Sequence, residues 1–196
     1  MRWLRLYLRS RRVPLALAVA VTTVALVGVL TARFSDARLI DVRPLSLTVV
    51  LAVSAFAATL GAADEALERT ASVRWPLRRL GHLALVGALV VGLVLLLPVE
   101  AGVVVRNTAG LLGLTALGAA VFGAARSWIA PLIWTLVAAT PFVQVGPGTG
   151  SQLVAWLVQP PGAGIATVCA GVLAVSGALA YALRGCPPRP TAEPGS

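Results

Sequence analysis

With 58% hydrophobic and 12% charged residues over 196 positions, and a mean hydropathy of +0.90, the chain is far more apolar than a soluble domain, which carries roughly a quarter charged residues. The formal net charge of +9 therefore does not point to nucleic acid, because all sixteen basic residues are arginines that flank apolar runs, where membrane topology accounts for them. The two cysteines, Cys169 in an apolar run and Cys186 in a Pro-rich tail, have neither metal-ligand spacing nor an evident disulfide partner.

The first twelve residues, "MRWLRLYLRSRR", place Arg2, Arg5, Arg9 and Arg12 along one stripe of a helix, with Trp3, Leu6 and Tyr7 on another face. That pattern predicts an interfacial amphipathic helix lying on the inner leaflet, with Trp3 and Tyr7 as anchors. A basic leader without regular structure is the alternative. No small-residue cleavage site precedes a polar segment, so the region does not read as a signal peptide.

Six apolar segments of about the length that crosses a bilayer follow, at 13–32, 45–63, 81–99, 107–125, 128–145 and 163–183. The expected architecture is all-α: a six-helix transmembrane domain over 13–183, preceded by the 1–12 helix and followed by a Pro-rich, disordered cytoplasmic tail at 184–196. With both ends inside, Arg2, Arg5, Arg9, Arg11, Arg12, Arg69, Arg74, Arg78, Arg79, Arg126, Arg184 and Arg189 are cytoplasmic, and Arg33, Arg38, Arg43 and Arg106 are external. Twelve arginines against four is the positive-inside pattern. Gly110, Gly113, Gly118 and Gly123 in the fourth segment, and Gly171 and Gly177 in the sixth, permit close helix approach. That approach can be packing within the chain or a dimer seam.

"DEALERTASVRWPLRRLG", residues 64–81, is the most charged stretch. Asp64, Glu65 and Glu68 suit a helix N-terminus, and Glu65 and Arg69 stand at i and i+4 in the favourable order. Pro76 disfavours helical geometry at Trp75, so the segment reads as a short cytoplasmic helix, a bend, and an anchor made by Trp75, Arg78 and Arg79 ahead of the third span. A solvated loop that merely satisfies topology is the alternative. Between the fifth and sixth segments, "SQLVAWLVQ" lies between Gly/Pro-rich flanks. It is too short to cross, and it predicts a re-entrant or interfacial external helix with Leu153, Trp156 and Leu157 on its apolar side. The nearby "GPGTGS" lacks the lysine of a phosphate-binding loop.

Neither an HExxH nor a GxSxG motif occurs, and His82 is the single histidine. Ionisable residues are nearly absent from the expected spans, with Glu100 and Arg106 at an outer hairpin, so no ion-coupling site is expected.

In layout, the chain resembles the membrane (permease) subunit of bacterial ATP-binding-cassette exporters of the six-span kind. "MRWLRLYLRSRR" matches the elbow helix of that family in place, "DEALERTASVRWPLRRLG" its coupling helix between spans two and three, and "SQLVAWLVQ" its external re-entrant element. "RNTAGLLGLTALGAAVFGA" is similar to the Arg-Asn-led fourth span of permeases from actinobacterial gene clusters. The resemblance covers nearly the whole chain and is architectural. It implies a non-enzymatic transport subunit in the bacterial cell membrane, in contact with lipid and with no nucleic-acid partner. A separate ATPase subunit would bring ATP and Mg to the coupling residues Asp64, Glu65, Glu68 and Arg69. A second copy, or a similar subunit, would complete the pathway. A non-catalytic accessory or immunity membrane protein is the other expectation.

Overall fold

The computed structural model describes residues 13–34, 39–61, 75–140 and 148–187. The described residues are helical with no strand. Helix α1 is Val13–Phe34, α2 is Val42–Ala57, continued by a 3-10 turn at Ala58–Leu60, and α3 is Trp75–Val94. Helix α4 is Ala101–Phe122, α5 is Ile129–Ala139, α6 is Thr149–Val154 and α7 is Gly164–Arg184, with 3-10 turns at Ala124–Arg126 and Trp156–Val158.

Five helices are long and apolar enough to cross a membrane: α1, α2 with its turn, α3, α4 and α7. The expected fifth span does not form one helix. Helix α5 has 11 residues, so it rises only about 16 Å, against a hydrocarbon core of about 30 Å. Proline sets its limit. Pro131 falls in the first turn, where a missing N–H costs little, whereas Thr140, the residue before Pro141, is extended at φ −66°, ψ 147°.

Two other boundaries differ from expectation. Helix α3 starts at Trp75, with Pro76 in its first turn, so Arg78 and Arg79 belong to the helix rather than to a preceding anchor. The proline that was expected to separate them is tolerated there for the same reason as Pro131. Helix α4 starts at Ala101, after Pro98, and ends where Gly123 takes φ 82°. Arg106 is therefore in its second turn, beside Asn107, and not in a hairpin ahead of it. The leader with Trp3 and Tyr7, the acidic stretch with Asp64, Glu65, Glu68 and Arg69, and the tail beyond Pro187 lie outside the described residues.

The helix ends gather at two levels. At one, the Ile40 N–H bonds to the Pro98 carbonyl at 2.9 Å, a Cβ on Gly28 would meet Leu97, and Arg106 reaches Gln159 and Pro160. At the other, the Tyr181 hydroxyl donates to the Leu60 carbonyl at 2.6 Å, and a Cβ on Gly61 would meet Ala124. These are called the Arg106 end and the Tyr181 end below. Helices α2, α3 and α4 alternate in direction between them. Helices α4 and α7 run parallel, and the chain between them starts at the Tyr181 end with Ser127 and reaches the Arg106 end at Gln159.

Helix α4 is the hub, packing on α2, α3, α5 and α7. Its hydropathic window is 72% buried within the protein, against 17% for α1. The periphery keeps large apolar side chains outward, among them Leu15, Leu26, Val172, Leu179 and Leu183. Contiguous apolar surface of that kind belongs against lipid, and the chain is membrane-embedded in character.

The α4–α7 seam is closed by backbone. A Cβ on Gly177 would lie 2.0 Å from the Gly113 carbonyl oxygen, and one on Gly113 would lie 2.3 Å from that of Leu173. These glycines pack within one chain. By contrast, a Cβ on Gly171 would meet nothing within 4 Å. Gly177→Ala should therefore cost about 1–3 kcal/mol through overpacking, while Gly171→Ala stays close to the parent. Thermal unfolding of the two variants in the same detergent checks this, and equal midpoints would contradict the seam.

Candidate functional site

A polar cluster interrupts the apolar interior at the Arg106 end. The chain between α6 and α7 makes one 3-10 turn at Trp156–Val158, is extended at Gln159, and turns again at Pro161 and Gly162. Such a break leaves carbonyls without helical N–H partners. Two prolines in succession cannot donate either. In an apolar interior each orphan carries a desolvation cost, and apart from a 3.4 Å turn bond from the Ala163 N–H to the Pro160 carbonyl the donors come from side chains.

Arg106 and Asn107 of α4 supply them. The Arg106 guanidinium donates from NH2 to the Gln159 carbonyl at 2.8 Å, from NH1 to the Pro160 carbonyl at 3.1 Å, and from Nε to Asn107 Oδ1 at 3.1 Å. Asn107 Nδ2 donates to the Leu157 carbonyl at 2.8 Å and to Ser46 Oγ at 3.0 Å. Ser46, on α2, lies 2.8 Å from the Val42 carbonyl and 3.0 Å from that of Leu157. Its single proton serves one of the two. The amide of Asn107 is thus fully engaged, with one acceptor and two donor bonds. Arg106 is 7% exposed and Asn107 0%, and the bonds of Arg106 end on uncharged oxygens. A cation held this way in a membrane-embedded chain is costly, which makes it a candidate functional position.

The cluster fixes the broken segment in place. Trp156 and Leu157 are fully buried, and the Trp156 ring fills the space beside Gly110, where a Cβ would lie 2.3 Å from it. Leu153, by contrast, is 46% exposed, because α6 ends at Val154 before the turn. "SQLVAWLVQ" is therefore not one helix with a single apolar side: Leu153 faces out, and Trp156 and Leu157 are core. The indole N–H of Trp134 on α5 donates to the Val154 carbonyl at 3.1 Å, which ties the two short helices together.

At the Tyr181 end, Arg79 donates from NH1 to the Ala182 carbonyl at 3.2 Å, a favourable place for a cation at the C-terminus of α7. Gly185, at φ 67°, leaves room for it, since a Cβ there would lie 2.5 Å from Arg79 NH2. Arg78 stands over the Trp75 ring at 5.8 Å from its centroid. Thr59 Oγ1 and His82 Nε2 are 3.1 Å apart, and Cys186 Sγ is 3.6 Å from the Leu60 carbonyl. Arg79 thus joins α3 to α7. Among the described residues no group of three His, Cys, Asp or Glu side chains could hold a metal ion.

Neither protein families, curated proteins nor solved structures yield a match to the chain. Its reading rests on this geometry and on the layout of the sequence.

Sequence reasoning set Arg106 ahead of the fourth span and gave no site role to Ser46, Asn107 or Gln159. A signal was present: the chain's one asparagine follows an arginine inside an apolar run, and a "QPP" break lies further on. Asn107→Leu removes both donor bonds and strands the Arg106 Nε–H, at about 1–3 kcal/mol for each buried group left unpaired. Amide exchange over residues 155–163 should then speed up by about tenfold or more, a factor of ten for each ~1.4 kcal/mol. Ser46→Ala should have a smaller effect. Unchanged exchange in Asn107→Leu would contradict the clamp.

Proposed function

We propose that this chain is the permease subunit of an ATP-binding-cassette exporter, acting as a dimer in a bacterial cell membrane and driven by a separate ATPase that carries ATP and Mg. The observation that supports the reading is where the described chain stops and resumes on either side of the charged stretch. Gly61 and Trp75 bound residues 62–74, and both adjoin the Tyr181 end: Gly61 packs on Ala124, and Thr59 meets His82. Arg126 and Arg184 mark the same end. Asp64, Glu65, Glu68 and Arg69, which lie between Gly61 and Trp75 in sequence, would meet the ATPase in this reading. In this reading the broken passage from Ser127 to Gln159 is the fifth of six crossings, which puts both termini on the cytoplasmic side, with the leader as an elbow helix on the inner leaflet.

One observation favours the second reading, a non-catalytic accessory or immunity protein. Gly113 and Gly177, candidates for a dimer seam, are used up inside one chain. Affinity purification from membranes separates the two, since a co-purifying ATPase is expected of a permease and not of an accessory chain. Glu65→Arg with Glu68→Arg should release that ATPase or uncouple hydrolysis from transport, because like charges set against each other at an interface cost several kcal/mol. Membrane abundance should be unchanged. Full binding and transport by the reversed variant would overturn the coupling role.

Topology is checked by single cysteines at Leu39 and Leu96, which should react with an impermeant thiol reagent from outside, and at Ser72 and Ala192, which should react only after permeabilisation. External labelling at Ala192 would overturn the six-crossing order.

A further inference from the structure

A groove runs down the outside of the bundle where α3, α4 and α7 meet, starting beside Arg106. Its mouth, about 530 Å³, is bounded by Gly102, Val105 and Arg106 of α4, by Pro161 and Gly162, and by Thr167 of α7. Below it lies an apolar trough of about 480 Å³ that shares Val105 with the mouth. Each helix contributes one stripe at helical spacing: Val105, Thr108 and Leu112 from α4, Ala84, Ala88 and Val91 from α3, and Ala174 and Ala178 from α7. From Ala101 to Gly113 the α4 wall rises about 18 Å at ~1.5 Å per residue, close to the ~15 Å depth of half a hydrocarbon core.

Two polar groups point to the occupant. Arg106 engages three of its five N–H donors within the protein, which leaves two, and the positive charge, for the mouth it lines. Thr108 lines the trough just below. It is 2% exposed, and its hydroxyl has no hydrogen-bond partner. A hydroxyl on a helix ordinarily bonds the carbonyl one turn back, and a buried one left unpaired is uncommon. A cation at the mouth, a free hydroxyl beneath it and an apolar trough that with the mouth is about one leaflet deep form a sequence of chemistries that matches an anionic phospholipid: phosphate, ester carbonyl and acyl chain.

We propose that the α3–α4–α7 groove binds one acidic phospholipid from the leaflet at the Arg106 end, with its phosphate on Arg106, an ester carbonyl on Thr108 and an acyl chain along the trough. The inference does not depend on the permease reading. It is tested on the full chain in nanodiscs of equimolar phosphatidylglycerol and phosphatidylcholine, with retained lipid counted by native mass spectrometry after release. The parent should retain one phosphatidylglycerol per chain, favoured over phosphatidylcholine by about fivefold, the size expected of a single arginine facing an anionic headgroup. Arg106→Gln should bring that ratio close to one. Ala84→Leu with Ala88→Leu fills the trough from its exposed wall and should lower retention of both lipids by about fivefold or more, at the ~0.8 kcal/mol per buried CH₂ that acyl burial supplies. Thr108→Val, nearly isosteric, should lower retention of both lipids without changing unfolding, so the test stands even where Arg106→Gln fails to fold. Equal retention of the two lipids by the parent, or retention unaffected by filling the trough, would overturn the proposal. A chain dimer that carries no lipid would overturn it too, and would identify a second copy as the occupant.

Discussion

A backbone that leaves helical geometry inside an apolar bundle must find donors for its carbonyls there, because lipid offers none. In this chain the break comes at Trp156–Pro161, and the carbonyls of Leu157, Gln159 and Pro160 receive Arg106, Asn107 and Ser46. Much of the architecture follows. Helix α4 has to begin early enough for positions 106 and 107 to stand level with the break. The turn that carries those carbonyls inserts Trp156, and only a glycine at 110 leaves space for its ring. Two faces of α4 are thereby committed, one to the break and one to the glycine seam with α7. That accounts for its place at the centre, while α1, with little of its surface covered, stays at the edge.

The Tyr181 end solves the same problem with different parts. The turn after α2 exposes the Leu60 carbonyl, and the Tyr181 hydroxyl meets it. The last carbonyls of α7 lack helical partners, and the Arg79 guanidinium meets that of Ala182. Between the two ends the Gly113–Gly177 contact is backbone against backbone, so α4 and α7 behave as one stiff unit. Helix α5 is different: it is short, ends at a pre-proline residue and is joined to α6 through one exposed indole bond. Even so, it buries Pro131, Thr135 and Ala138 against the bundle.

Much of this was legible in the sequence. Apolar run length located the five long helices, because it reports the cost of placing residues in hydrocarbon. The errors came from proline and from polar residues with unseen partners. Pro76 and Pro131 sit in first turns and do not break helices, whereas Pro141 acts through Thr140 before it. Hydropathy alone cannot separate these cases. Arg106 was set ahead of the fourth span because a charge in an apolar run is read as a boundary. Its actual surroundings are carbonyls more than fifty residues away, a non-local fact. Leu153, Trp156 and Leu157 were grouped as one apolar element, but the turn after Val154 sends them to opposite environments. The acidic stretch with Glu65 and Glu68 remains a reading from spacing and charge.

The central claim is that Asn107 is a dry, fully bonded bridge between α4, α2 and the broken segment. It is the chain's only asparagine, so selective ¹⁵N-asparagine labelling yields a single side-chain amide in solid-state spectra of the protein in bilayers. The account predicts two inequivalent amide protons that exchange slowly with water, with through-space correlations to Ser46 and Leu157. A side-chain amide that exchanges with water as freely as a solvated asparagine, or that shows no proximity to Ser46 or Leu157, would contradict it.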